Sequence, residues 1–178
     1  MEFPMFKDIV YLKTGSEIQQ RSYNLLTKFS LMELLMPYNP ILIGTIPLDI
    51  ALRGSDLDIA CEVYDLVEFE KFCLENFKNH KDYRFKVKSL RGKEVGIANF
   101  KIADIPVELY GEGRPVVDQY GYRHLVKEFE VLEKFGVDFK NQIMELKSKG
   151  FKTEPAFAKL LALQGDPYES LLNYHINE

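Results

Sequence analysis

Leu42-Ile43-Gly44-Thr45-Ile46-Pro47-Leu48-Asp49-Ile50-Ala51-Leu52-Arg53-Gly54-Ser55-Asp56-Leu57-Asp58-Ile59-Ala60 is the stretch on which the reading of the whole chain turns. A short apolar run, Ile41-Leu42-Ile43, stops at Gly44. Asp56 through Val63 then largely alternates polar and apolar, the period of a half-buried strand. The pattern predicts two strands flanking a loop of about ten residues, with a helix following Gly44-Thr45. A strand, a Gly-Thr turn and a helix N-terminus together present free backbone N–H groups to an anion, and glycine allows that anion to come close.

Asp56-Leu57-Asp58 puts two carboxylates on one face of the second strand, with Cα atoms roughly 6.5 to 7 Å apart. Two anions about 6 Å apart repel by roughly 3 kcal/mol at an effective dielectric near 20, so solvent or a cation must relieve them. Carboxylate oxygens are what a hard cation such as Mg2+ prefers. A third acid favours the cation. Ile105, Val107 and Leu109 form one apolar side of a later strand and leave Glu108 on the other, as Leu57, Ile59, Cys61 and Val63 do for Asp56 and Asp58. If both apolar sides pack on helices, the three acids converge on the open face. Glu94, at a strand start, and Asp104, at a turn, are the alternatives to Glu108.

Outward from this segment, apolar residues from Ser16 to about Met36 recur at helical spacing until Pro37 and Asn39-Pro40 end the run. A helix is expected around Val67 to Phe77. Tyr83 to Leu90 and Glu94 to Ile102 read as strands joined by the turn Arg91-Gly92-Lys93. Ile105 to Tyr110 completes an antiparallel meander, closed by Gly111-Glu112-Gly113-Arg114-Pro115. From Asp118 onward the pattern is helical, broken at Gly136, Gly150 and Gly165-Asp166-Pro167, with Thr153 and Asp166 as N-caps and Pro167 in a first turn.

The 178 residues suffice for one well-buried core and not for two ordinary domains. An apolar fraction of 46% and a charged fraction of 28% exclude disorder, collagen and disulfide scaffolds. The net charge of −4 gives no global attraction to nucleic acid, which is therefore not a favoured partner. Arg84, Lys86 and Lys88 alternate with Tyr83, Phe85 and Val87 as one basic stripe, either a solvated face or a groove lining. The opening MEFPMFKDIVYLKTG has no basic n-region before an apolar run, and no stretch is long enough to cross a bilayer, so a cytoplasmic protein with no membrane contact is expected. Cys61 and Cys73 lack metal or redox spacing and read as buried thiols. No chemistry is assigned to His124, and Tyr110, Tyr120 and Tyr122 read as core residues in preference to base-stacking ones.

The segment from Gly44 to Asp58 resembles the signature of the DNA polymerase β-like nucleotidyltransferases. That signature is a strand ending in Gly-Ser or Gly-Gly, a short helix, an acid-hydrophobic-acid strand and a third acid on a later strand. Gly44 and Asp56 stand 12 positions apart, and Arg53-Gly54-Ser55-Asp56-Leu57-Asp58-Ile59 is close to what small bacterial members show. With Lys152-Thr153-Glu154-Pro155-Ala156-Phe157-Ala158-Lys159, the chain is similar over nearly its full length to an uncharacterised bacterial branch, the DUF4269 type. The resemblance implies an α+β fold over residues 1–178: a nucleotidyltransferase-like mixed sheet with helices packed on one face and a C-terminal helical cluster from about residue 118. It implies transfer of a nucleoside monophosphate from a nucleoside triphosphate to an unidentified hydroxyl acceptor. Asp56, Asp58 and Glu108 would be the catalytic residues and the ligands of Mg2+, or of Mn2+ in its place, with Gly44, Thr45, Arg53 and Ser55 around the nucleotide. Thr45 replaces the usual Ser or Gly, and Pro47-Leu48 occupies a loop where many members keep a polar or basic residue. That departure keeps a second expectation open, a catalytically inactive relative that binds nucleotide or a partner.

Overall fold

The computed structural model describes residues 6–176; the first five residues, on which part of the leader reading rests, lie outside them. Five strands form one mixed sheet: β1 (Ile41–Ile43), β2 (Leu57–Glu62), β3 (Lys81–Leu90), β4 (Lys93–Ile102) and β5 (Ile105–Glu112). Their order is β1-β2-β5-β4-β3. Only β2 and β5 run parallel; the other neighbours are antiparallel. Both hairpins close on two residues at positive φ, Arg91-Gly92 (50° and 73°) and Ala103-Asp104 (48° and 64°), matching the right-handed twist of the flanking strands. Lys93 therefore belongs to β4. β5 also runs beyond Tyr110, so Gly111 and Glu112 are strand residues and not the closing turn.

The alternation in β2 sends Leu57, Ile59 and Cys61 to one face, where each is fully buried with Val107, Leu109, Ala98, Phe100 and Ile102. That face is covered by α1 (Glu17–Lys28) and α3 (Leu66–Phe77). A Ser16–Gln19 capping box starts α1, and the Asp65 carboxylate accepts from the Val67 and Glu68 N–H groups at the start of α3. The single helix expected from Ser16 to Met36 is interrupted. Ser30 turns left-handed, with φ 47°, and a short α2 (Leu31–Leu34) and a 3-10 turn, Met36–Tyr38, follow. The change of direction carries Leu31 and Leu35 into the core.

Helices α4 (Tyr120–Ser148), α5 (Thr153–Leu160) and α6 (Pro167–Leu172) build a second core with Ile41, Ile43, Leu48, Ile50 and Ala60, on the other side of β1 and β2. The C-terminal cluster thus lies over the β1–β2 end of the acid-bearing face, while Arg84 and Lys88 at the β3 end stay exposed. Gly121 in the first turn of α4 allows this contact, since a Cβ there would lie 2.6 Å from Ile43 Cδ1. Gln119, just before it, is buried and donates from Nε2 to the Cys61 carbonyl at 2.9 Å. Gly136 breaks regular α4 geometry at φ 71°. Asp166 and Pro167 start α6 as expected, whereas Lys152, not Thr153, holds the N-cap position of α5. Cys61 and Cys73 are free and buried. Among the described residues no helix is long and apolar enough to cross a membrane.

Candidate active site

The loop between β1 and β2 contains turns and no helix. Pro47 lacks an N–H and disfavours helical geometry at Ile46, and burial of Ile46, Leu48 and Ile50 draws the segment into the core instead. The expected helix N-terminus after Gly44-Thr45 is accordingly absent, leaving the Gly44 turn, at φ 77°, to face the cavity. The loop is tied down from both sides. Gln19 Nε2 donates to the carbonyls of Ile46 and Pro47 at 2.9 and 3.2 Å. From α4, Lys140 Nζ reaches Asp49 Oδ2 and Lys147 Nζ reaches the Ile50 carbonyl, both at 2.6 Å.

Strand register sets one transverse row across the sheet: Ile43, Asp58, Glu108, Asn99 and Arg84. Residues opposite one another in register share a face, so Asp58 and Glu108 stand side by side. Asp56 is exposed in the loop just before β2. It shares a surface cleft with Arg84, Asn99 and Glu108, whereas Asp58 and Glu108 line a cavity of about 350 Å³ with Gly44, Thr45, Arg91, Tyr110 and Tyr120. Glu108 borders both spaces. Asn99 Nδ2 donates to Glu108 Oε2 at 2.9 Å, and Arg84 Nε donates to Asn99 Oδ1 at 3.2 Å, which fixes the glutamate's orientation. Burial, then the nearby charges of Asp56 and Glu108, push the Asp58 carboxyl up to about 7. An Asp58 carboxyl pressed by two neighbouring acids, with no cation of the chain ion-paired to it among the described residues, suits a hard divalent ion.

Gly44 is held to glycine by this site. A Cβ at that position would lie 2.5 Å from Asp58 Oδ2, and the positive φ strains any other residue. Gly44→Ala should therefore displace the Asp58 carboxylate and lower Mg2+ affinity at least about tenfold by calorimetry, with about 1–2 kcal/mol of lost stability. Unchanged affinity would show that Asp58 does not bind the ion.

Arg53 and Ser55 line a separate cleft with Glu17, Arg21 and Leu52, and Ser55 Oγ accepts from the Leu52 N–H at 3.0 Å. Glu94 pairs with Ser89, and Asp104 forms a salt bridge with Lys81 at 3.4 Å, so neither replaces Glu108. Lys86 and Lys88 project from the same face as Glu108 by register. Tyr122 is buried in the second core, while Tyr110 and Tyr120 line the cavity. Arg91 was hidden in its hairpin turn: the guanidinium lies over the Tyr120 ring, 3.5 Å from its centroid, inside the cavity. His124, Glu128 and Glu154 line the same cavity. The only sequence signal for them was His124 and Glu128 at i, i+4, which places both on one helix face.

Among solved structures, the chain superposes on the GLD-2/RNP-8 complex with a TM-score of 0.55 and 14% identity, over 83% of this chain and 57% of that one. Against the Cid1 poly(U) polymerase bound to MgGTP the TM-score is 0.54 at 12% identity, over 75% and 42%. The polymerase core of TRAMP, an RNA surveillance complex, gives 0.51 at 17% identity, over 93% and 51%. The fold is thus that of the nucleotidyltransferases, and the chain spans about half the length of these structures. Residues 24–174 match the family described as Domain of unknown function (DUF4269), and the chain belongs to that family. A search of curated proteins finds no match.

Proposed function

We propose that this protein transfers a nucleoside monophosphate from a nucleoside triphosphate to a hydroxyl-bearing acceptor, with Asp56, Asp58 and Glu108 holding Mg2+. The observation that carries this reading is the in-register pair Asp58 and Glu108, side by side on the sheet face, with Asp56 close enough to perturb Asp58. Bound Mg2+ would supply charge neutralisation at the phosphates and lower the pKa of the acceptor hydroxyl. Glu108, oriented by Asn99, would take the acceptor's proton. The acceptor oxygen forms its bond to the α-phosphorus as the bond to the pyrophosphate oxygen breaks, and pyrophosphate leaves with its electrons. The Gly44 and Thr45 backbone borders the phosphates, and Arg91 offers the cavity a cation for the leaving group. Mg2+, triphosphate and α-labelled product are the readouts: with a lysate supplying acceptors, label transfer should occur in wild-type protein and vanish in Asp56→Ala and Asp58→Ala. Equal transfer in both variants would end the reading. Arg91→Ala should raise KM for the triphosphate by roughly 10- to 100-fold with a smaller change in kcat, since it removes a ground-state phosphate contact; an unchanged KM would exclude that role.

A second reading, a non-catalytic nucleotide or partner binder, is favoured by one observation. Ile46, Pro47 and Leu48 are apolar and buried, so the three positions directly after Thr45 offer the phosphates no polar side chain. Mg2+-dependent triphosphate binding without label transfer would select it.

A further inference from the structure

The far wall of the cavity carries a second cluster of donor atoms, independent of the carboxylates on the sheet. His124 and Glu128 lie one turn apart on α4, and Glu154 comes from the first turn of α5. One ligand atom from each lies within 4.8 Å of the others. His124 and Glu128 are both 4% exposed. Neither ring nitrogen of His124, nor Oε1 of Glu128, has a hydrogen-bond partner among the described residues. A buried imidazole and a buried carboxylate left without partners are each costly, and here both converge on one point.

We infer that His124, Glu128 and Glu154 bind a first-row transition-metal ion of the Zn2+ type, joining α4 to α5 in the cavity wall. One nitrogen and two carboxylate oxygens suit a borderline ion better than Mg2+, which favours an all-oxygen shell. Tetrahedral coordination brings ligand atoms to about 3.4 Å from one another, a side-chain rotation away from the observed spacing. Three protein ligands leave a fourth position, and since all three residues line the cavity, that position faces its interior. The ion also discharges a local conflict. Glu128 and Glu154 face each other across this point, and a cation bound between the two carboxylates relieves their mutual repulsion. Lys147 neighbours both carboxylates, yet its ammonium is committed to the Ile50 carbonyl.

With Mg2+ in excess to occupy the sheet carboxylates, titration of the 178-residue chain with Zn2+ should show one tightly bound ion, with affinity falling at least about 100-fold in His124→Ala and in Glu154→Gln and changing less than about threefold in Asp58→Asn. Co2+ in place of Zn2+ should give visible absorption bands that shift when His124 is removed. Glu154→Gln keeps volume and sits on a half-buried residue, so it reports binding even if His124→Ala does not fold. Zn2+ binding lost in Asp58→Asn and retained in Glu154→Gln would overturn the assignment, as would no binding at micromolar Zn2+. Neither readout uses nucleotidyl transfer, so failure here leaves the proposed chemistry standing.

Discussion

Asp58→Asn is expected to abolish nucleotidyl transfer and yet to make the metal-free protein more stable at pH 8. Removing a carboxylate from the proposed Mg2+ site should cost at least about 10³ in rate, because it loses charge stabilisation present only when the site is loaded. The stability gain follows from titration. Asp58 has a folded-state value of about 7 against an ordinary 3.8, raised first by burial and then by Asp56 and Glu108. Between those values the folded state holds a proton that the unfolded state has released, so stability falls as pH rises through the window and is flat above it. Asparagine carries no charge to bury and removes that loss, on the order of 4 kcal/mol by pH 8. Thermal melts in chelator should show a Tm gain of roughly 8–16 °C for the variant at pH 8, and little difference near pH 4. Equal melting temperatures at pH 8 would mean that Asp58 is ionised without strain. In the wild type, Mg2+ must displace the same proton, so its affinity should climb from about pH 6 to pH 8.

Phe69→Ala should produce the largest loss of stability, about 3–5 kcal/mol. Phe69 is fully buried, with Tyr38 and Phe85 rings 5.0 and 6.0 Å away in edge-to-face contact. It fits only because Gly96 and Gly111, opposite each other on β4 and β5, carry no side chain: a Cβ on Gly111 would lie 2.9 Å from its ring. The side chains that crowd those glycines with it, Val63, Leu66 and Phe85, are packed against the same core, so collapse is limited. Urea unfolding should show a lower midpoint at unchanged m value; a loss below about 1 kcal/mol would show that the helix α3 contact relaxes freely.

Much of the sheet was legible because its strands announce themselves by period. The alternation of Leu57, Ile59 and Cys61, and of Val107 and Leu109, sets the facing of Asp58 and Glu108, and Arg91-Gly92-Lys93 between two alternating runs marks the hairpin. The misread parts share a cause: competition between local preference and burial. A helix is expected after Gly44-Thr45, but Pro47 and the burial of Ile46, Leu48 and Ile50 claim that segment for the core. Gly111 looked like a turn because packing against Phe69 cannot be seen in one dimension. Arg91, Glu128 and Glu154 join the cavity, and Asn99 the neighbouring cleft, through pairings and helix placements that no local pattern specifies.

The parallel pairing of β2 with β5 has a kinetic consequence. Leu57 meets Val107 only after α3 and the whole β3–β4 hairpin have been laid down between them, so Asp58 and Glu108 become neighbours through a long chain closure. The hairpin closes over a two-residue turn, whereas the acidic pair forms only with this non-local step, so any capacity to capture a cation there would come late on a folding pathway.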